Sequence, residues 1–527
     1  MGIHQPEKRR RVFVVCVDAG TFDLIHPWVR EGLLPSFQKL MEEGVWGELS
    51  AEFPPITVNN ILSMVTGKNA GKHGTIHWLK KDAGTGHWKL VDSRALGNQT
   101  LWDILGESGK KVAILNLPLT YPPKKVNGVM VTGLLTPVSA QNITYPAHLK
   151  KEIEDYIGDR YPILPKKVFA VGKEEDYLSS LMESLDIRYR TSRYLMDRYP
   201  WDFLMIHFIE TDQVQHFFWN HIDKNHPKHD PEKSKKYGNA ILQLYQRMDS
   251  ILGDYLQALD KKDYLMVVSD HGAGPLYQKF YTNNWLMKEG LLQLKKDWIT
   301  TLKYWLFRGG MTLQNIHQLA LRLGFENLQT RVNRTTLFES LLRILFLSYH
   351  DVDWDRTKAF AMGGFGQIYI NRRRKTDEDT SGAMSEEEYE SLRGGIISKL
   401  EELEIPGIRK HYSRRIYKKE ELYFGPYSEG LPDIVVLPED GYLDPGDFEW
   451  FSNAIFEPRT PVSGTHRPNG IFFLRGEGIK QGVELRNVRI YDIAPSVLFL
   501  MDTPIPEDMD GKVLIDAFEN SCPHSCL

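Results

Sequence analysis

The sequence contains little cysteine, and this scarcity limits how the fold can be stabilised. Its 527 residues include three cysteines: Cys16 lies inside an apolar run, and Cys522 and Cys526 lie near the C terminus. So few thiols cannot form a disulfide framework, which predicts a reducing compartment, the cytoplasm. The two distal cysteines flank His524, and we interpret this group as a frayed terminus rather than a metal site.

Long apolar runs and an excess of positive charge are also absent. No uncharged stretch reaches the roughly 18 to 20 apolar residues that a membrane helix needs, so we expect no transmembrane segment. The basic start is followed only by the short run VFVVCV, so we expect no signal peptide. A net charge of -4 lacks the field that nucleic-acid polymers require. A small molecule such as a nucleotide is the expected partner, and the oligomeric state is left open.

The pattern that is present alternates strands with helices. VFVVCVDAG reads as a strand and turn, and LLPSFQKLMEEG follows as a helix ending before Gly44. TLWDILGESG then predicts a second helix that leads into the strand KVAILNL. Alternation of this kind predicts an α/β protein with a mostly parallel central sheet covered by helices on both faces.

One region interrupts the alternation. Residues 295–350 are rich in Trp and Leu at helical spacing, which predicts a helical insertion. The insertion is interpreted either as a cap, lid or membrane-facing surface, or as amphipathic helices that pack on the sheet, the usual role of such stripes. The predicted core then comprises residues 11–294 and 351–515, with a flexible tail at 1–10 and another at 516–527.

Chemistry-bearing side chains are placed mainly at the ends of predicted strands. Seven of them have the types needed to hold two metal ions around a phosphorus atom: Asp18, Thr57, Asp212, His216, Asp270, His271 and His466. Ligands of open α/β sheets bind beyond the carboxyl ends of parallel strands. Two ions about 3.5–4 Å apart can stabilise both the attacking and the leaving oxygen of a phosphoryl transfer. The set therefore predicts an enzyme.

Local spacing supports several members of this set. Asp212 and His216 are four residues apart, which puts both side chains on one face of a helix. Asp and His are ligands that suit zinc. Thr57 follows a Pro-rich segment and precedes an apolar helical run, so its hydroxyl could cap that helix. The alternative is a nucleophile that the helix dipole helps to meet a phosphoryl anion.

With these residues assembled, the sequence resembles the alkaline phosphatase superfamily. It is most similar to the type I phosphodiesterase and nucleotide pyrophosphatase branch, and more narrowly to predicted phosphohydrolase or phosphomutase proteins of prokaryotes. The resemblance rests on VDAGTFDLI, PPITVNNILSMVTGKNAGKHG, ETDQVQHFFW, VVSDHGAGP and SGTHRPNGIFF. It implies an alkaline-phosphatase-like three-layer sandwich and cleavage of a phosphodiester or nucleotide pyrophosphate bond through a phospho-threonine intermediate.

The resemblance also implies how the residues divide between two zinc ions, with manganese as the alternative metal. One ion would be surrounded by Asp18, Thr57, Asp270 and His271, and the other would be held by Asp212, His216 and His466. Asn60 stands three residues after Thr57, where the resemblance implies contact with a phosphoryl oxygen. The alternative for Asn60 is a local hydrogen bond within the first helical turn.

The sequence departs from its relatives just after Thr57. Relatives often carry Pro, Ala and Trp there, whereas this chain has Val58, Asn59, Asn60 and Ile61, which weakens inference of the substrate. The motif lacks the Cys or Ser of sulfatases and the Arg of phosphomonoesterases, which favours diesters or pyrophosphates. Two alternatives stay open: a phosphomutase or phosphotransferase on the same scaffold, and a non-catalytic, metal-stabilised binding protein.

Overall fold

The computed structural model describes residues 10–81, 88–97, 99–322, 345–372, 384–443 and 450–519. Most of both predicted tails, residues 323–344 of the predicted insertion, and the group of Cys522, His524 and Cys526 lie outside these residues. The chain divides into two compact units. The first unit comprises residues 1–275, 423–428 and 463–527, and the second unit comprises residues 276–422 and 429–462.

The strands of the described chain are short, and all are named here in chain order. They are β1 (Val12–Val17), β2 (Val45–Ser50), β3 (Leu79–Lys81), β4 (Trp88–Leu90), β5 (Val112–Leu115), β6 (Gly128–Val131), β7 (Thr144–Tyr145), β8 (Phe203–Phe208), β9 (Tyr264–Val268), β10 (Gly272–Phe280), β11 (Ala359–Ala361), β12 (Gln367–Ile370), β13 (Ser413–Lys418), β14 (Ile434–Pro438), β15 (Gly441–Leu443), β16 (Phe456–Glu457), β17 (Gly464–Arg467), β18 (Asn469–Arg475), β19 (Val483–Glu484) and β20 (Val488–Arg489).

The α-helices of the described chain vary from single turns to seven turns. They are α1 (Phe22–Arg30), α2 (Pro35–Glu43), α3 (Thr57–Thr66), α4 (Ala70–His73), α5 (Leu101–Glu107), α6 (Leu149–Ile157), α7 (Glu174–Arg198), α8 (Glu210–Ile222), α9 (Pro231–Tyr237), α10 (Ala240–Ala258), α11 (Thr282–Lys288), α12 (Trp298–Arg308), α13 (Leu313–Arg322), α14 (Glu386–Glu401), α15 (Lys419–Leu422) and α16 (Ile493–Leu500).

A ten-stranded sheet forms the centre of the first unit. Its order is β19-β2-β18-β9-β1-β8-β5-β6-β7, with β20 beside β2. The middle of the sheet is parallel, because β1 pairs with β8 and β9, and β5 pairs with β8 and β6, in the same direction. β18 is antiparallel to β9 and β2, and β7 is antiparallel to β6. The prediction of a mostly parallel central sheet is confirmed.

Both faces of this sheet are buried, as the sequence predicts. Phe13, Val15 and Val17 of β1 belong to one hydrophobic cluster, together with residues of α2, α7, α8 and α10. Val12 and Val14 alternate with them and belong to a second cluster, which includes residues of α3, α5 and α16. Strand side chains alternate between the two faces, so the first unit has three layers, helix on sheet on helix. The predicted fold class is therefore confirmed.

The second unit has its own core and its own strands. One sheet has the order β11-β12-β14-β13, and residues 276–280 of β10 lie between β15 and β16 in another. A third hydrophobic cluster includes Phe280, Trp285 and Ile396. From the predicted insertion 295–350, the described part contributes α12, α13 and a short 3-10 helix, Tyr349–Asp351. The insertion's boundaries and its role as a cap stay predictions.

None of the helices in the described part of the chain is both long and apolar enough to cross a membrane.

Candidate metal centre

The carboxyl ends of the three central strands bring the predicted acidic residues together. Asp18 follows β1, and Asp270 and His271 occupy the turn between β9 and β10. Since β9, β1 and β8 are adjacent and parallel, these residues meet at one edge of the sheet. α8 begins two residues after β8 and carries Asp212 in its first turn, with His216 one turn later on the same face, as predicted.

Thr57 reaches the same place from the first turn of α3. The residue at the N-cap is Ile56, whose aliphatic side chain cannot accept a hydrogen bond, and Thr57 is the first helical residue. Its side chain is buried, and Oγ1 lies 3.2 Å from Nε2 of His271. The structure therefore places the Thr57 hydroxyl against a predicted metal ligand rather than in a capping position.

His466 arrives from β17, which pairs with the first residues of β10 in antiparallel register. His466 stands opposite Ala273, two residues after His271. The rings of His466 and His271 stack with their centroids 3.7 Å apart. All seven residues that the sequence predicted as ligands thus lie in the first unit and converge on one centre.

Cluster A consists of Asp212, His216 and His466, and its spacing suits a single ion. Two donor atoms that each lie about 2.1 Å from a tetrahedral ion are about 3.4 Å apart. Oδ1 of Asp212 lies 3.1 Å from Nε2 of His216 and 3.5 Å from Nε2 of His466. The two Nε2 atoms are 3.2 Å apart. Each edge of this triangle matches the separation expected of ligands around one ion.

Cluster B consists of Asp18, Thr57, Asp270 and His271. Nε2 of His271 lies 3.2 Å from Oγ1 of Thr57, 3.3 Å from Oδ2 of Asp270 and 3.6 Å from Oδ1 of Asp18. These distances also match the spacing of ligands around one ion. Asp212, Asp18 and His271 place one ligand atom each within 4.8 Å of one another, so the two clusters are adjacent.

The three imidazoles are oriented in the same way. Each has Nδ1 within hydrogen-bond distance of a backbone carbonyl: His216 at 2.8 Å from Gly464, His271 at 3.0 Å from Gly272, and His466 at 2.9 Å from Pro55. When Nδ1 carries the proton and donates a hydrogen bond to these carbonyls, the lone pair of Nε2 faces the centre. This is the arrangement by which proteins orient histidines that bind metals.

Burial favours the neutral form of His271 and His466, which is the form that can bind a metal ion. It lowers the pKa of His271 to about 4 and that of His466 to about 3, and the neighbouring imidazoles add to the effect. The pKa of Asp212 is lowered, because His216 and His466 stabilise its carboxylate more than burial destabilises it.

The remaining carboxyl groups, those of Asp18 and Asp270, are buried close to each other. Burial raises the pKa of Asp18 well above its usual range, and the charges of Asp270 and Asp212 raise it further. Among the described residues, Oδ1 of Asp18 and both carboxylate oxygens of Asp270 have no hydrogen-bond partner, although both residues are 1% exposed. A buried charge without a partner is costly. A divalent cation would remove that cost, so the residues present fit a metal ion.

Asn60 is buried near Thr57, but its side-chain amide forms hydrogen bonds with backbone groups. Its Oδ1 accepts from the backbone N–H of Glu52 at 2.7 Å, and its Nδ2 donates to the carbonyls of Glu52 and Ile56 at 3.3 and 3.2 Å. These bonds shape the segment that leads into α3, which is the local role considered for Asn60. The predicted contact with a phosphoryl oxygen stays a prediction.

Sequence reasoning missed His207, which lies in the middle of the buried strand β8. Its Nε2 is 3.1 Å from Oδ2 of Asp18, and burial lowers its pKa to about 4. A polar residue inside the apolar run FLMIHF was the available signal. That signal is weak, because a strand pattern does not reveal which residue on a neighbouring strand stands opposite.

Comparison with known proteins identifies the family. The family model for type I phosphodiesterase/nucleotide pyrophosphatase matches residues 12–450. The chain therefore belongs to this family, as the resemblance predicted. Its members are phosphoric ester hydrolases, and this protein is an enzyme of that class. None of the curated proteins matches the sequence at a significant level.

Solved structures share the fold at low sequence identity. Human ectonucleotide pyrophosphatase/phosphodiesterase 5 is 13% identical, with 97% of this chain and 100% of that chain covered and a TM-score of 0.51. An inactive murine form of that protein in complex with AMP is 14% identical, with the same coverage and TM-score. Phosphonoacetate hydrolase from Sinorhizobium meliloti, in complex with phosphonoacetate, is 14% identical over 94% of this chain and 96% of that chain, with a TM-score of 0.53. At these identities the likeness establishes the fold alone.

Proposed function

We propose that the protein is a two-metal phosphohydrolase that cleaves a phosphodiester or nucleotide pyrophosphate bond, with Thr57 as its nucleophile. The proposed ions are zinc, with manganese as the alternative. Cluster A would hold one ion and cluster B the other. The substrate would be a small phosphorylated molecule such as a nucleotide. The scarcity of cysteine supports the cytoplasm as its compartment.

The observation that carries this proposal is the spacing of donor atoms in the two adjacent clusters. The distances between donor atoms within the clusters run from 3.1 to 3.6 Å, and a hydroxyl oxygen is one of the donor atoms. Around a purely structural ion a threonine would be an unusual choice, because Cys, His and carboxylates are the ligands that structural zinc selects. A hydroxyl placed beside the ligands at a helix N-terminus is suited to attack a phosphoryl group.

The bound ions, the N-terminus of α3 and the burial of Thr57 would each have a separate role in catalysis. Divalent ions, when bound, favour ionisation of a nearby hydroxyl and neutralise charge on phosphoryl oxygens. The N-terminus of α3 adds a favourable field for the phosphoryl anion that approaches Thr57. Thr57 is 4% exposed, so few water molecules reach its hydroxyl.

The bond changes balance in two steps. The bond between Oγ1 of Thr57 and phosphorus forms as the bond from phosphorus to the leaving oxygen breaks; the hydroxyl releases its proton, and the leaving oxygen keeps the electron pair of the broken bond. A water oxygen then bonds to phosphorus as the bond to Oγ1 breaks, and the proton that the water gives up is balanced by the proton that Oγ1 takes up, which returns the free threonine. Asn60 is proposed to contact a phosphoryl oxygen, although its local hydrogen bonds also position the segment that carries Thr57.

Thr57→Ala tests the nucleophile. We expect hydrolysis of a chromogenic diester to fall by roughly 10³-fold or more, because the attacking atom is removed. Thr57→Ser keeps the hydroxyl and should retain much of the activity. Thr66→Ala is a matched control from the other end of the same helix: it also removes a buried hydroxyl, one that donates to the carbonyl of Leu62 at 2.6 Å. The control should lose some stability and keep its turnover.

The same assay separates the alternatives. Substrates should include a diester, a monoester, a dinucleotide and phosphonoacetate, each with metal-loaded protein, and mass spectrometry of a quenched reaction should detect phosphate on the peptide that contains Thr57. Transfer of the phosphoryl group to an added alcohol in preference to water would favour the phosphomutase or phosphotransferase. Equal turnover by wild type and Thr57→Ala would refute the nucleophile. Absence of turnover on all esters would favour the non-catalytic binding protein.

A further inference from the structure

A second group of donor atoms lies buried beside cluster B, and the proposed chemistry does not use two of its members. Cys16 of β1 stands directly opposite His207 of β8 in the parallel register. Asp270 follows β9, which pairs with β1 on its other side. The thiol sulfur of Cys16, Nε2 of His207 and a carboxylate oxygen of Asp270 all lie within 4.8 Å of one another.

These donors are closed off from solvent. Cys16, His207 and Asp270 are each at most 1% exposed. Among the described residues, Nε2 of His207 and both oxygens of Asp270 lack a hydrogen-bond partner. Oδ2 of Asp18 is only 3.1 Å from that Nε2. An imidazole nitrogen that lies close to Asp18 without forming a hydrogen bond, and a carboxylate without hydrogen bonds, are each costly to bury, and a cation between them would satisfy both.

We propose that Cys16, His207 and Asp270, with Asp18 as the fourth ligand, form a further buried site for a zinc-like divalent cation. A thiolate, an imidazole and carboxylates form a ligand set that tetrahedral zinc accepts, and structural zinc sites are closed to solvent, as this one is. On coordination the thiol of Cys16 loses its proton to solvent, and sulfur donates to the ion. No electrons are transferred.

The proposed site would support the phosphoryl centre because of where it lies. It joins the three central strands β8, β1 and β9 just below the edge where the substrate would bind. Its two carboxylates are shared with cluster B, so a bound ion would orient Asp18 and Asp270. The inference rests on the proposed function only through these shared carboxylates, because Cys16 and His207 have no part in that proposal.

Cobalt substitution tests the site with a signal that nitrogen and oxygen ligands cannot produce. The full-length protein should carry Cys522→Ser and Cys526→Ser, so that Cys16 is the sole thiol, and should be loaded with Co²⁺. We expect a near-ultraviolet charge-transfer band from a cobalt–thiolate bond. Adding Cys16→Ser should remove the band and lower the metal content by one ion per chain, measured by elemental analysis.

The results of this experiment distinguish a failure of the buried cation site from a failure of the proposed function. A folded sole-thiol protein that binds two Co²⁺ ions and shows no thiolate band overturns the site, and this measurement does not need Cys16→Ser to fold. In that case His207 serves only to position Asp18. A thiolate band in a protein that hydrolyses no ester would support this site and refute the proposed function. Hydrolysis without the band would do the reverse.

Discussion

Replacement of Asp270 by Asn should change stability in opposite directions with and without metal. Both oxygens of Asp270 are buried and lack hydrogen-bond partners among the described residues, and the carboxylate of Asp18 lies nearby. In metal-free protein the buried carboxylate of Asp270 opposes folding, so its replacement by an amide should stabilise the fold. In metal-loaded protein the same carboxylate is a metal ligand, and its replacement should destabilise the fold.

The size of the expected Tm shifts follows from the burial of Asp270 and from the number of residues in the first unit. An unsatisfied buried hydrogen-bonding group costs about 2 kcal/mol and a charged group costs more, so about 2 kcal/mol is the minimum cost for Asp270. The first unit has roughly 350 residues, which gives an unfolding entropy of about 0.7 kcal/mol/K and therefore a shift of about +3 °C in Tm without metal. Metal at about 1,000 times its Kd contributes about 4 kcal/mol. Losing that contribution outweighs the gain by about 2 kcal/mol, which predicts a shift of about -3 °C with metal.

Thermal unfolding in a chelating buffer and in excess Zn²⁺ measures both signs. Asp263→Asn is the matched control, because Asp263 is also a buried carboxylate of the first unit but accepts hydrogen bonds from the Arg11 guanidinium at 3.1 and 2.5 Å. The control should be less stable than wild type in both buffers. If Asp270→Asn shifts Tm in the same direction in both buffers, the argument from uncompensated charge is refuted.

Two further predictions concern the backbone around the centre and the pH dependence of stability. A methyl group at Gly464 would lie 2.3 Å from the carbonyl oxygen of Gln215. Gly464→Ala should therefore displace the Gly464 carbonyl that orients His216 and weaken metal binding by about 10–100-fold, measured by calorimetric titration. Gly394 lies in a helix with open space around it, so the control Gly394→Ala should leave metal affinity unchanged and raise stability by up to about 1 kcal/mol. Burial raises the pKa of Glu52 from 4.5 to about 8, so between these values the unfolded chain releases a proton that the folded chain keeps, and stability should fall as pH rises. Urea unfolding of Glu52→Gln should show a smaller fall over that range, and an unchanged profile would contradict the assignment.

Local patterns in the sequence determined much of the centre. Asp18 and the Asp270–His271 pair follow apolar strand runs, and parallel strands bring such positions to one edge of a sheet. Asp212 and His216 share a helix face because they are four residues apart. These inferences succeed because the spacing of side chains on a strand or a helix is set by backbone geometry within a few residues.

Contacts between residues that are distant in the sequence were decided by the tertiary structure. His466 meets His216 across 250 residues of sequence, through the pairing of β17 with β10. The sequence left Thr57 between a cap and a nucleophile, and the packing of α3 turned its hydroxyl towards His271. The carbonyls that orient the imidazoles, and the position of His207 opposite Cys16, depend on strand register. Register and packing are set by the whole core, since each strand finds its neighbours only when all hydrophobic faces are buried together.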